Sequence, residues 1–165
     1  MRAQLAALYL LISYVQCALP KGYVIKKPLG AAYRLVYNSK SWPAANEHCT
    51  DEGGHLAVPR SEEEFNFLQK LVRAMHYPSI IDTDNKLVVW LGITNIEDYK
   101  IWKNLYGEDI MTTGFHKWAG ENGQGYSDDP QEPHCAAMDP ANPGLRDYWC
   151  HRRQPYICQI DLKQT

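Results

Sequence analysis

The sequence predicts an α+β fold: two helices in the first half, antiparallel strands, and a long irregular segment near the C-terminus. Three observations point there. Two stretches carry apolar residues at spacings of three and four, each flanked by helix start and stop signals. Several stretches rich in β-branched and aromatic residues span only about five residues, strand length rather than helix length. From Trp118 to Cys158, acids, amides, glycines, prolines and three cysteines crowd together, and Trp and Tyr are interspersed.

The chain has 165 residues, 22% charged and 45% hydrophobic, which suits one globular domain with a real core. Its first eighteen residues read as a secretory signal. Arg2 precedes an apolar run from Leu5 to Val15, and small residues follow at Cys17-Ala18 before Leu19-Pro20. The run is shorter than the about 20 apolar residues of a membrane span, and no later segment offers one. The expected division is therefore 1–18 signal peptide and 19–165 one domain, with a core over about 30–160, in a secreted, extracellular protein. Cleavage removes Cys17 and leaves four cysteines, an even number for an oxidising compartment. It also removes Arg2, leaving 16 basic against 19 acidic residues. A mildly acidic surface argues against nucleic acid or an anionic membrane as partner.

Tyr23-Val24-Ile25 and Tyr33 to Tyr37 read as strands around Pro28-Leu29-Gly30. In the second, Tyr33, Leu35 and Tyr37 should face inward and Arg34 and Val36 outward. Ser41 is placed to cap a first helix, with Pro43 in its first turn and Trp42, Ala45 and Cys49 on one face. That helix ends near Glu52, where Gly53-Gly54 supply the stop. His55 to Pro59 is a short strand. Ser61-Glu62-Glu63-Glu64 is a capping box opening a second helix, whose apolar stripe is Phe65, Leu68, Leu71, Val72 and Met75. Pro78 bounds it. Asp82, Asp84 and Asn85 resemble the start of a calcium loop. However, Leu87 and Ile93 stand where its glycine and glutamate belong, so an EF-hand is rejected.

Val88 to Ile93 is the most apolar run and should be a strand buried on both faces. Trp102 and Phe115-His116-Lys117-Trp118 give further strand signals, and regular structure then fades until Ala136-Ala137-Met138. Tyr156 to Ile160 is the last strand. His48, His134 and His151 each adjoin a cysteine, so zinc has to be weighed against disulfides. No C-x-x-C is present, and adjacent residues rarely both reach one tetrahedral ion, so disulfides are preferred.

These pieces, in this order, resemble a C-type lectin-like domain over nearly the whole mature chain. The resemblance rests on Ser41-Trp42-x-x-Ala45-x-x-x-Cys49, the Gly54 to Val58 strand, Ser61 to Glu64, and Trp90-Leu91-Gly92-Ile93. Trp118, Cys135, Asp147, Cys150 and Cys158 follow in order. The chain is most similar in look to secreted single-domain lectins of arthropod body fluid. The resemblance implies two helices with antiparallel sheets, a long irregular ligand loop, and disulfides Cys49–Cys158 and Cys135–Cys150. In the loop-entropy estimate each bridge would contribute about 3–5 kcal/mol.

The resemblance also implies a calcium ion that completes its shell with two sugar hydroxyls. Calcium takes 6–8 oxygen ligands. Family members place Glu-Pro-Asn or Gln-Pro-Asp after the tryptophan equivalent to Trp118; this chain has Glu121-Asn122-Gly123. The missing proline removes the family's cis bond, which costs about 3–4 kcal/mol without it, so the loop should be trans and aimed differently. The family's mannose-or-galactose rule is therefore not carried over. Family members also place Trp-Asn-Asp before the cysteine equivalent to Cys150; this chain has Leu145-Arg146-Asp147. A guanidinium has donors only and cannot hold calcium. Arg146 should either swing away or fill the metal position, pairing with Glu121 or Asp147. Glu132 stands near the family's remaining glutamate position, displaced by Pro133-His134.

The candidate metal ligands are thus Glu121, Asn122, Glu132 and Asp147, and Arg146 joins them as a ligand-binding candidate. Asp128 and Asp129 could substitute, or could be a solvated loop. Tyr126, Tyr148 and Trp149 could form an apolar platform for a sugar, or pack in the core. The expected function is carbohydrate binding by a secreted lectin, with Ca2+ as cofactor and glycans or glycoconjugates as partners, in innate defence. The alternative is a lectin-fold protein with a degenerate calcium site that binds a protein or lipid without metal. No catalytic residue is assigned, because G-x-S-x-G, H-E-x-x-H and an unpaired mature cysteine are all absent.

Overall fold

The computed structural model describes residues 19–85, 88–123 and 129–163. The expected signal segment 1–18 lies outside them, as do Leu87, Tyr126 and Asp128. The strands are β1 (Val24–Lys26), β2 (Ala31–Lys40), β3 (His55–Leu56), β4 (Val89–Thr94), β5 (Lys103–Asn104), β6 (Cys135–Met138), β7 (Arg146–Tyr148) and β8 (Gln154–Asp161). The helices are α1 (Trp42–Asp51) and α2 (Glu62–Arg73). The strand order is β1-β2-β8-β4-β6-β7, with β3 added to β8 and β5 to β4. All pairs are antiparallel except β4 with β8, which meet in parallel at Trp90 and Tyr156.

The sheet is covered on both faces, and β4 shows why its sequence is continuously apolar. Val89, Leu91 and Ile93 join one core with Phe65, Leu68 and Val72 of α2, while Val88 and Trp90 join a second with Trp42, Ala45 and Cys49 of α1. Side chains alternate along a strand, so two covered faces demand apolar residues at every position. Gly92 is required here: a Cβ on it would lie 2.5 Å from the Leu56 carbonyl oxygen.

The second cover corrects the reading of β2. Leu35 and Tyr37 pack with Tyr33 on the α2 side, as expected, but Val36 packs against the α1 core instead of facing water. Arg34 reaches Glu52 at the end of α1, at 2.5 Å.

Both helices begin where their cap residues stand. Glu64 N donates to Ser61 Oγ at 3.1 Å, the first half of the capping box. The second half differs: Glu64 reaches past Ser61 to accept from Arg60 N at 3.0 Å, and it also accepts from the buried Tyr33 hydroxyl. Ser41 precedes α1 but its side chain makes no cap bond. The Trp42 amide donates instead to the Cys150 carbonyl at 2.8 Å, tying α1 to the far loop.

Two further expectations are corrected. Phe115 to Trp118 forms no strand; only Trp118 makes an isolated bridge, with Leu145. Phe115 is a core residue stacked on Phe65 at 4.2 Å, so its aromatic signal reports burial. Conversely β7 lies between the strands expected at Ala136 to Met138 and Tyr156 to Ile160, where no strand is expected. Its three residues are held by the register Cys135–Tyr148, Ala136–Asp147 and Ala137–Arg146.

The disulfides are Cys49–Cys158 and Cys135–Cys150, with Cα separations of 5.3 and 5.2 Å. The first ties α1 to β8, and the second joins β6 to the turn after β7.

Candidate functional site

The candidate ligand region is built on β6, β7 and the Cys135–Cys150 bridge. Neighbours on a strand face opposite ways, so β7 sends Arg146 and Asp147 in different directions. Arg146 swings away: its Nη1 donates to Asp139 Oδ2 at 2.9 Å, and it pairs with neither Glu121 nor Asp147. Asp139 is buried. Its Oδ1 accepts from the Ala141 and Asn142 amides, each at 2.7 Å, and its Oδ2 also accepts from Asn142 Nδ2 at 2.7 Å. Burial alone would raise its carboxyl pKa. The bonds from Asn142, Arg146 and Ala141 outweigh that and hold it below the usual carboxylate range.

Asp147 lies on the other face and ties the preceding turn down. Its Oδ2 accepts from Gly123 N at 2.9 Å. Gly123 has φ 64°, and a Cβ there would sit 2.4 Å from the Trp118 ring. The turn therefore closes directly over the tryptophan, which itself packs on Trp102 at 4.6 Å. The Glu121-Asn122-Gly123 peptides are trans. The Asn122 amide nitrogen donates to the Ala119 carbonyl of its own turn. Glu121 and Glu132 are exposed, and the Glu132 amide donates to the Asp129 carbonyl at 3.1 Å.

Among the described residues this arrangement does not assemble a calcium shell of 6–8 oxygens. The Asn122 side chain is folded back, the residue before Asp147 is an arginine committed to Asp139, and Glu121, Glu132 and Asp147 do not bring their carboxylates within 4.8 Å of one another as a group. Among the described residues, one group of three His, Cys, Asp or Glu donors lies within 4.8 Å of one another: His48, Cys49 and Cys158. Its two sulfurs are joined in a disulfide and are not thiolates, so the zinc reading fails there.

Beside the bridge lies a cavity of about 260 Å³ lined by Tyr99, Glu132, His134, Trp149 and His151, among others. His134 is buried and stacked on Tyr99 at 4.0 Å. Its two ring nitrogens face Asn95 Oδ1 at 2.9 Å and the Asp129 carbonyl at 3.0 Å. Trp149 is 41% exposed, and its Nε1 donates to the Gln131 carbonyl at 2.8 Å, which fixes the indole. Tyr148 packs its ring near Trp90 at 5.8 Å and accepts from Asn85 Nδ2 at 2.7 Å. Of the three aromatic platform residues considered, Tyr148 therefore serves packing, Trp149 is available, and Tyr126 is outside the described residues. Sequence reasoning missed Asp139. Its signal was Asp139-Pro140 and Asn142-Pro143, a turn signature in which an aspartate side chain commonly binds amides two and three residues on.

The chain matches the model of the Lectin C-type domain over residues 38–160. It belongs to the C-type lectin domain family. This C-type lectin domain is 29% identical over 152 residues to the hemolymph lipopolysaccharide-binding protein of Periplaneta americana, covering 88% of this chain and 54% of that protein. It spans about half or less of the length of the first curated relatives it matches. In fold it is similar to the carbohydrate-recognition domain of the human scavenger receptor C-type lectin (TM-score 0.68, 20% identity, 87% of this chain and 99% of that one). It is also similar to a calcium-independent type II antifreeze protein (TM-score 0.66, 19% identity, 87% of this chain and 95% of that one). Domains of this family are typically binding modules rather than enzymes. Among the described residues no helix is long and apolar enough to cross a membrane.

Proposed function

We propose that this domain is a secreted, non-catalytic receptor for glycoconjugates of microbial type, acting in innate defence, and that it binds them without calcium in the family's metal position. The observation that carries the second half is the Arg146–Asp139 pair. It commits the residue standing in place of a calcium ligand to a buried carboxylate, and the Asp147–Gly123 bond holds the turn that a metal would otherwise organise. Support for the glycoconjugate half comes from the family and from the printed name of the insect relative. Trp149 adds an exposed, oriented aromatic face beside Glu132 and His151, the apolar-plus-polar surface that sugar rings favour.

The test is a calorimetric calcium titration of the disulfide-intact domain, paired with glycan-array binding in calcium and in EDTA. The expected result is no calcium binding up to millimolar concentration and the same array profile in both buffers. Calcium binding that is lost in Asp147→Ala would overturn the metal-free reading in favour of a calcium-dependent lectin. An array without signal in either buffer would overturn the glycoconjugate reading and favour a protein or lipid partner.

A further inference from the structure

A second cluster lies at the end of β8 and is used by none of the foregoing. His55 opens β3, whose register pairs it with Gln159 of β8, and Asp161 closes β8. Tyr106 comes from the turn after β5, where the Asn104 side chain accepts its amide at 3.0 Å. The three polar tips converge. His55 Nε2 lies 3.1 Å from the Tyr106 hydroxyl and 3.4 Å from Asp161 Oδ2, and the hydroxyl lies 2.7 Å from Asp161 Oδ2.

The partners of each group assign most of the protons in the cluster. His55 Nδ1 lies 2.7 Å from the Leu56 carbonyl oxygen, which can only accept, so Nδ1 carries a proton and Nε2 is the nitrogen whose lone pair the neutral imidazole offers. Gln159 Oε1 accepts from Val58 N at 3.0 Å, which orients the amide. Its Nε2 then donates to the Tyr106 oxygen at 3.2 Å and to Asp161 Oδ1 at 2.7 Å. Tyr106 has one proton, and the short contact assigns it to Asp161. In the neutral imidazole the Nε2 lone pair faces both the phenol oxygen and the Asp161 carboxylate, so one cation, a second proton on His55 or a metal ion, would bridge all three groups.

We propose that His55 Nε2, Asp161 Oδ2 and the Tyr106 oxygen form a binding site for a zinc-type divalent metal ion. Zinc bonds to nitrogen and oxygen are about 2.0–2.2 Å long, which places two donors of a tetrahedral shell about 3.3–3.6 Å apart. The two edges involving His55 are close to that. The shorter Tyr106–Asp161 edge holds a proton, which leaves to solvent as the ion enters and the phenol becomes a phenolate, letting the edge open. A histidine whose other nitrogen donates to a backbone carbonyl is oriented as metal-bound histidines usually are. Two of the three donors stand on paired strands, so the set is pre-positioned. The His55 and Asp161 side chains are 20% and 41% exposed, so an ion can enter from solvent and a water can complete the shell. The nearby Arg60 is tied to Glu64 at 3.2 Å and to the Leu29 carbonyl at 2.9 Å. An imidazole with two oxygen donors suits zinc better than calcium or magnesium.

The experiment is a calorimetric Zn2+ titration of tag-free, disulfide-intact protein in two buffers of different ionisation enthalpy. Circular dichroism would check that every variant is folded. The expected result is one ion per chain, with a proton released on binding. His55→Gln should abolish uptake, and Tyr106→Phe should weaken it about tenfold or more and remove the proton release. Wild-type protein that takes up no zinc would overturn the site, leaving a cluster closed by a second proton on His55. Zinc uptake that His55→Gln and Asp161→Asn leave unchanged would place the ion elsewhere and overturn it equally. Tyr106→Phe indistinguishable from wild type in affinity and proton release would overturn the three-donor set.

Discussion

Replacing Asp139 by asparagine tests the claim that an internal ion pair organises the ligand region. The side chain keeps its shape, so no cavity is made. Oδ1 can still accept from the Ala141 and Asn142 amides. An NH2 group would now stand where Oδ2 accepts from Arg146 Nη1 and Asn142 Nδ2, so donors would face donors. A hydrogen bond to a charged group contributes about 1.5–3 kcal/mol. The Arg146 side chain is 35% exposed and can rehydrate, so its share is discounted, and the expected loss is about 2–4 kcal/mol. Urea unfolding at pH 7, with the slope unchanged, would measure it. The double variant with Arg146→Met should show coupling of about 1 kcal/mol, because the two residues act through one contact. The pH dependence adds a check on sign. The folded carboxyl is held below its unfolded value of about 3.9, so its stabilisation is complete above that pH. It is lost as pH falls through the lower folded value, and the gap between wild type and Asp139→Asn should close on the same limb. A loss under about 1 kcal/mol at pH 7, or a gap that widens in acid, would refute the reasoning.

Three other outcomes follow from the same geometry. Gly123→Ala forces a Cβ to within 2.4 Å of the Trp118 ring at a positive φ, and should cost about 2–3 kcal/mol in thermal or urea unfolding. Removing the Cys135–Cys150 bridge by a double serine substitution opens a link of sequence separation 15, and should cost about 3 kcal/mol by the loop-entropy estimate, read in the same assay. Trp149→Ala, at an exposed position, should change stability by less than about 1 kcal/mol yet weaken glycan-array binding tenfold or more, separating recognition from folding.

Much of the fold was legible because it rests on local signals. Trp42, Ala45 and Cys49 lie on one helical face; Ser61 and Glu64 mark a helix start; the continuous run at Val88 to Ile93 announces a strand covered twice. The errors lie where aromatic content was taken for strand, at Phe115 to Trp118, and where three residues became strand only by register with β6. Burial and pairing are properties of neighbours, which a single segment does not contain.

The site divides the same way. By itself the sequence determined the chemistry available: a missing proline, an arginine where a metal ligand is expected, an aspartate beside it, and the four cysteines from Cys49 to Cys158. Composition and order suffice for that, because a guanidinium has no lone pair to offer whatever surrounds it. Only the tertiary structure decided where those groups point. The alternation of β7 parts Arg146 from Asp147, the Glu121-Asn122-Gly123 turn is not what meets Arg146, and a buried carboxylate at Asp139 claims it instead. The convergence of His55, Tyr106 and Asp161 is likewise a product of pairing, since 106 residues separate its ends along the chain. Side-chain identity sets what a group can bind, and distances between segments far apart in sequence set whether it does.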